Sequence, residues 1–200
     1  MTDIESFIFN IENSIQAPSQ GALLIAEPIL REDYFCHAVI CITDYENGKS
    51  AMGIVMNKPT RYTLCELVPD IYPDFNLPIY CGGPLSCDRL YYIHTLGNTI
   101  RDAKEISNGL FIGGNFDDII TYINEGNNTK GIVRFFLGYS GWDPCQLENE
   151  LKHNVWAVAS NHNNHELLVG ENDNYWHRYV KSMGDEYRGW QYHPENPQYN

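Results

Sequence analysis

The sequence predicts an α+β fold built on a mixed β-sheet. Three observations carry that prediction. Apolar runs of strand length recur along the 200 residues, amphipathic helical stretches fall between them, and the two intermix without a regular βαβ repeat. A chain of this length is expected to hold one globular domain with a sizeable core.

The elements follow in order. Ile4, Phe7, Ile8, Ile11 and Ile15 recur at helical spacing, which predicts an amphipathic helix over 3–15. It forms an N-terminal extension (1–19) ahead of a single domain spanning 20–200. GALLIAEPIL reads as a buried strand that Pro28 ends or edges. After a turn over Glu32 to Phe35, HAVICIT (37–43) is a second strand. DYENGKSA carries Asn47-Gly48, a tight-hairpin signal, and MGIVMNKP returns as a strand stopped by Pro59. TLCELV (63–68) predicts a short helix before the Pro-rich link PDIYPDFNLP. IYCGGPLSCDRL (79–90) and LFIGGNFDDII (110–120) both read as strand, Gly-Gly and polar turn, with the strand LYYIHTL (90–96) between them. Asn115 or Asp117 caps a helix ending near Asn124.

GIVRFFLGYSGW reads as a strand ending in a strand–turn–helix corner that Trp142 plugs. Asp143 is placed to cap the following helix, Pro144 suits its first position, and Gln146 completes a capping-box pattern. NVWAVAS and ELLVG are further strand candidates. Asp173 caps a last helix of about ten residues, ended by Gly184, before the tail YHPENPQYN.

Composition narrows the function classes. Thirteen Lys and Arg against 26 Asp and Glu give a net charge of −13, and residues 143–173 carry six acids with Lys152 as their lone cation. A duplex-binding surface must neutralise phosphates with clustered Lys and Arg, so direct nucleic-acid binding is not expected. No stretch approaches the ~20 apolar residues that span a bilayer. The acidic start MTDIESFIFNIENS lacks a signal peptide's basic region, so a cytoplasmic protein without membrane contact is expected. Its six cysteines are then reduced thiols, expected as small buried hydrophobes, and none forms C-x-x-C.

Several motifs bear on chemistry. Gly138-Tyr139-Ser140-Gly141 brings its second glycine one residue too early for a nucleophile elbow, and no Ser-Asp-His order accompanies it. Cys145 would fall in the first helical turn, where the dipole favours a thiolate, yet no basic partner is visible and an inert thiol is the preferred reading. Gly82-Gly83-Pro84 and Gly113-Gly114 could cradle a phosphate but match no nucleotide-binding pattern, so tight turns explain them better. His162 and His165 sit in an Asn-rich polar loop, and no metal site is expected there. His94 reads as a satisfied sheet residue. Lys58 is either a surface cation or the partner of an anionic ligand near the hairpin end.

Taken together, GALLIAEPIL, MGIVMNKP, CGGPL with LYYIHTL, GLFIGGNFDDI and GYSGWDPCQLENEL resemble the YqgE/AlgH family in order and spacing. The closing MGDEYRGWQYHPENP is similar to the form in its Bacteroides-type members. The resemblance covers about 20–200. It implies a bacterial cytosolic α+β protein whose strongly bent, bifurcated mixed sheet forms a pseudo-barrel flanked by helices. It implies no settled activity; some members are called transcriptional regulators, yet the family lacks a DNA-binding motif. The family's marked positions fall on Asn57, Lys58 and Pro59, on Gly82, Gly83, Pro84 and His94, and on Gly138, Tyr139, Gly141, Trp142, Gln146, Leu147 and Glu148. Members usually carry Gly where this chain has Cys145, which argues against a catalytic thiol there.

Two readings follow. The first is a non-enzymatic regulatory or interaction protein, acting through protein partners and needing no cofactor. It rests on the absence of an acid–base, nucleophile or metal constellation and on an aromatic content of 13%. The alternative is a small-ligand-binding protein or enzyme with a pocket where the GGP turn, His94 and the GYSGW corner converge. Either use draws its binding residues from Asn57, Lys58, Gly82, Gly83, His94, Tyr139, Trp142, Gln146 and Glu148. Gln146 and Glu148 stand out because a helix surface asks only for good helix formers. The oligomeric state stays open.

Overall fold

The computed structural model describes residues 17–192. The helix expected over 3–15 and most of the C-terminal tail lie outside the described residues.

The first strands form as the apolar runs dictate. β1 (Leu23–Ala26) and β2 (Val39–Asp44) are buried on both faces, so their side chains divide between two cores. Leu23 and Ile25 join one cluster with Val39, Ile54, Phe136, Trp176 and Trp190. Leu24 and Ile40 join another with Leu147, Trp142 and Trp156. Asn47-Gly48 makes the hairpin into β3 (Ala51–Val55), with Gly48 at φ 75°.

Pro59 does not stop the return strand; it opens a new one. Asn57 and Lys58 form the link to β4 (Pro59–Thr63), which pairs with β5 (Pro78–Cys81). A proline is tolerated there because the first residue of an edge strand need not donate. Thr63 and Glu66 form a capping box that starts α1 (Leu64–Leu67) within the segment expected to be helical.

LSCDRL is strand, not turn. It runs into LYYIH as one element, β6 (Leu85–His94), whose register slips between Leu85 and Leu90 with Ser86 at φ 49°. β7 (Lys104–Ser107) escaped the sequence reading because KEIS offers one buried residue, Ile106. It pairs with β8 (Leu110–Ile112), after which Asn115 caps α2 (Phe116–Asn124) through a 3.1 Å bond from the Asp118 amide.

β9 (Val133–Trp142) is the hinge of the fold. One edge pairs along its length with β6. The other is shared: β5 lies parallel to Phe135–Leu137, and β3 lies antiparallel to Ser140–Trp142. The sheet therefore splits at β9. Its main path runs β10-β1-β2-β3-β9-β6-β8-β7, with β4 and β5 as the branch. The far strand curls back: Gln20 Nε2 bonds the Glu105 carbonyl at 3.1 Å, and Lys104 meets Asp44 at 3.1 Å. The result is the expected α+β architecture, a bent, bifurcated mixed sheet closed into a half-barrel with helices packed on it.

The end of β9 corrects a further expectation. GYSGW lies within the strand, and the corner comes after it, at Asp143–Cys145. Helix α3 (Gln146–Lys152) is entered from Cys145 in the left-handed conformation, φ 63°, so neither Asp143 nor Pro144 holds the place assigned to it. That φ is a conformational reason for the glycine that the family resemblance expects here. Beyond β10 (Trp156–Ala159), ELLVG is no strand: its first two residues end α4 (Asn164–Leu167), which Asn163 caps, the rest turn away, and Tyr175 Oη donates to the Leu167 carbonyl at 2.6 Å. The last helix, α5 (Asn172–Ser182), starts after Glu171, which puts Asp173 inside it and not at its cap.

All six cysteines are free thiols. Cys41 is buried as expected, with its pKa pushed up to about 12 by burial, whereas Cys87 and Cys145 are exposed. Among the described residues no helix is long and apolar enough to cross a membrane.

Candidate functional site

The C-terminal half of β9 floors an open cleft of ≈ 640 Å³ between β3 and β6. Pairing brings its walls together: Met52 lies opposite Gly141, and Leu85 opposite Tyr139. Tyr91 packs edge-on against Tyr139 at 5.8 Å. Gly141 keeps the floor low, since a β-carbon there would stand 2.9 Å from Leu85 Cδ1. Arg89, Asp143 and Gln146 line the rim, and the Arg89 side chain makes no hydrogen bond or ion pair among the described residues.

Of the sequence candidates, Tyr139, Trp142 and Gln146 line this cleft. Gly82 and Gly83 sit behind it for a steric reason. A side chain on Gly82 would strike the Gly138 carbonyl, and one on Gly83, at φ 149°, would strike the Tyr139 backbone. The Gly82 amide is bonded to the Leu137 carbonyl at 2.8 Å, so it is not offered to a phosphate. Ser140 is buried and its hydroxyl points at the Gly82 carbonyl, 3.3 Å away, which removes it as a nucleophile.

His94 does not converge with these segments. It pairs with Val133 at the opposite end of β9, six residues from Tyr139 and about 20 Å along an extended strand. Its Nδ1 accepts from the Leu96 amide at 3.1 Å, so Nε2 is the protonated nitrogen donating to the Gly113 carbonyl at 2.9 Å. Burial lowers its pKa, with the Gly113 bond acting in the opposite sense. Asn57 is likewise sealed in, accepting from the Val39 amide and donating to the His37 carbonyl, each at 2.9 Å. Lys58 is half-buried in the adjoining link, where its carbonyl accepts from Cys81. Among the described residues no three His, Cys, Asp or Glu side chains group to hold a metal ion.

The AlgH-like family model matches residues 23–188, which takes in both the cleft and the branched sheet. This chain belongs to the AlgH-like family. It is 37% identical over 198 residues to a UPF0301 protein of Bacteroides thetaiotaomicron, covering 99% of this chain and 100% of that one. A UPF0301 protein of Parabacteroides distasonis is 39% identical over 195 residues, covering 96% and 97%. The solution structure of the AlgH protein of Pseudomonas aeruginosa superposes with a TM-score of 0.68 at 27% identity, over 85% of this chain and 92% of that one. A crystal structure of a Corynebacterium diphtheriae protein shares the fold alone, with a TM-score of 0.73 at 18% identity, over 92% and 96% of the two chains.

In this AlgH-like chain the polar residues of α3 that looked free of a folding role have one. Gln146 Oε1 accepts from the Asp143 amide at 2.9 Å and its Nε2 donates to Glu150 at 2.8 Å. Glu148 Oε1 accepts from the Tyr45 hydroxyl at 3.0 Å and the Gly48 amide at 3.1 Å, tying the first hairpin to α3. Burial would raise the Glu148 pKa, but the Gly48 and own-backbone amides, the Tyr45 hydroxyl and the Lys152 charge hold it below the usual carboxylate value. Tyr45 is pushed up to about 12 by burial and by the Glu148 bond and charge. Two residues at the heart of the corner went unread. Glu150 takes both indole N–H groups, from Trp142 and Trp156, at 2.7 Å each. The i, i+4 spacing of Gln146 and Glu150 was the one sequence signal for it. Arg89 carried no signal, because its place beside Tyr139 depends on the β6–β9 register.

Proposed function

We propose that this chain is a non-enzymatic interaction protein whose recognition surface is the cleft over Tyr139 and Gly141. The observation that carries the reading is the lining itself. Met52, Tyr91, Tyr139 and Trp142 supply the aromatic and sulfur surface enriched at protein interfaces, and Arg89 supplies an unengaged cation at the rim. Around them three groups with mechanistic potential are tied into structure: Ser140 to Gly82, Glu148 to the hairpin, and Glu150 to two indoles. The fitting occupant is a short segment of a protein partner bearing an acidic side chain for Arg89. A regulatory effect on transcription would run through such a partner, because a net charge of −13 opposes contact with duplex phosphates.

A photo-cross-linking residue at Leu85, on the cleft wall, tests this in cells, with one at exposed Tyr72 as control. A discrete adduct from position 85, absent from position 72 and lost in Arg89→Glu, is the expected result. No adduct from position 85, or the same adducts from both positions, refutes the reading.

A further inference from the structure

A second cavity, ≈ 340 Å³, opens at the other end of β9 between the start of β5, the 129–131 loop and the 168–171 loop joining α4 to α5. Arg134 lines it, five residues from Tyr139 and so about 17 Å from the cleft along the strand. This arginine is only 5% exposed. Its Nη1 donates to the Met56 carbonyl at 2.6 Å, and its guanidinium lies 4.1 Å from the centre of the Tyr80 ring. No carboxylate among the described residues forms an ion pair with it. Glu171, in the same lining, accepts from the Tyr80 hydroxyl at 3.1 Å; its charge favours the Arg134 cation without forming an ion pair with it.

Burial of a charge without a paired counter-ion is costly, and a guanidinium carries five N–H donors, only one of which is used here by a protein acceptor. Nε and Nη2 are not among the sealed atoms that lack a partner, so they keep access to solvent at the cavity that Arg134 lines. Leu77, Pro78, Leu168 and Val169 supply apolar lining, with Lys130 exposed at the rim.

We propose that this cavity is a binding site for a small organic carboxylate, its head on the free donors of Arg134 and its hydrocarbon body against Leu77, Pro78, Leu168 and Val169. The planar two-oxygen head matches the guanidinium fork. Arg134 and Lys130 against Glu171 leave one net positive charge, which suits a monoanion and disfavours a phosphate dianion. The volume lies at the lower end of the ~300–1,000 Å³ of small-molecule sites, which limits the ligand to a compact body. The site is separate from the cleft, so it stands whether or not a partner docks there.

The test is a ¹H–¹⁵N NMR titration that follows the amides of Gly131 and Gly170, both in the cavity wall. Benzoate and hexanoate are compared with benzamide and hexanamide, which keep the shape without the charge, and with inorganic phosphate. At least one carboxylate should bind saturably and at least tenfold more tightly than its amide. Arg134→Gln should abolish that preference. Lys130→Glu, at an exposed position that leaves the core intact, should weaken carboxylate binding several-fold even if the Arg134 variant fails to fold. Equal binding of acid and amide, tighter binding of phosphate, or no saturable shift with either carboxylate at 10 mM overturns the proposal.

Discussion

Removing the carboxylate of Glu150 should unfasten the corner that shapes the cleft. Its Oε2 accepts from Trp142 Nε1 and Trp156 Nε1, each at 2.7 Å, and the two tryptophans are 5% and 3% exposed. A hydrogen bond to a charged group contributes roughly 1.5–3 kcal/mol, and its loss here strands a buried donor. Two independent bonds would sum to about 3–6 kcal/mol. Glu150 is only half-buried, so water can replace part of what it provides, and Glu150→Ala is expected to cost about 2–4 kcal/mol. In a chain of this size that lowers the melting temperature by roughly 4–16 °C. Glu150→Gln keeps an oxygen acceptor without the charge and should lose about half as much. Urea unfolding, followed in parallel by tryptophan fluorescence and far-UV circular dichroism, measures both variants. A loss below ~1 kcal/mol for the alanine variant, or equal losses for the two, would show that the indoles do not depend on this carboxylate.

Other expectations follow from single positions. Cys145→Gly should stabilise the protein by about 0.5–1.5 kcal/mol in the same urea assay, because φ 63° strains any residue with a side chain; a destabilised variant would contradict the left-handed cap. Gly83→Ala should cost more than ~3 kcal/mol or abolish soluble expression, since the new methyl would strike the Tyr139 backbone. Gly48→Ala, with φ 75° but open space around it, should cost only ~1–2 kcal/mol, and thermal melts of the pair compare the two. His94 has a folded pKa below its unfolded value of about 6.5, so it contributes stability that is present above pH 6.5 and lost as pH falls through the folded value. His94→Gln should therefore flatten the dependence of unfolding free energy on pH below 6.5 by up to one proton, and an unchanged slope would exclude the neutral-imidazole assignment.

The readable parts of the chain share a local cause. Asn47-Gly48, the Asn115 cap and the both-faces-buried strand GALLIA each announce themselves within a few residues, because turn sterics, amide capping and burial on two faces act at short range. The corner at GYSGW was misplaced for a related reason. Asp-Pro at 143–144 has the chemistry of a helix start, yet pairing of β3 with Ser140–Trp142 extends the strand and delays the helix to Gln146. ELLVG has strand-like composition, but Asn163 caps a helix that ends at Leu167, and the chain then turns with Leu167 and Leu168 buried. Among the site candidates, Tyr139, Trp142 and Gln146 meet in one cleft while His94 lies at the far end of the same strand, a separation that only register decides.

Sequence alone therefore determined the α+β class, most strands, the first hairpin and the family, all consequences of local hydrogen bonding, sterics and hydrophobic periodicity. The tertiary structure decided where the sheet divides. β9 shares one edge between β5 and β3, partners about 55 and 90 residues earlier in the chain, and no local pattern encodes that choice. It also decided the fate of the polar side chains. Glu148 and Glu150 acquire folding roles only when the hairpin and two indoles arrive, and Arg134 becomes a buried cation lining a cavity only when Met56 and Tyr80 are brought against it. Contacts between distant segments set the electrostatics of each site, so the same residues read singly in the sequence carry no such information.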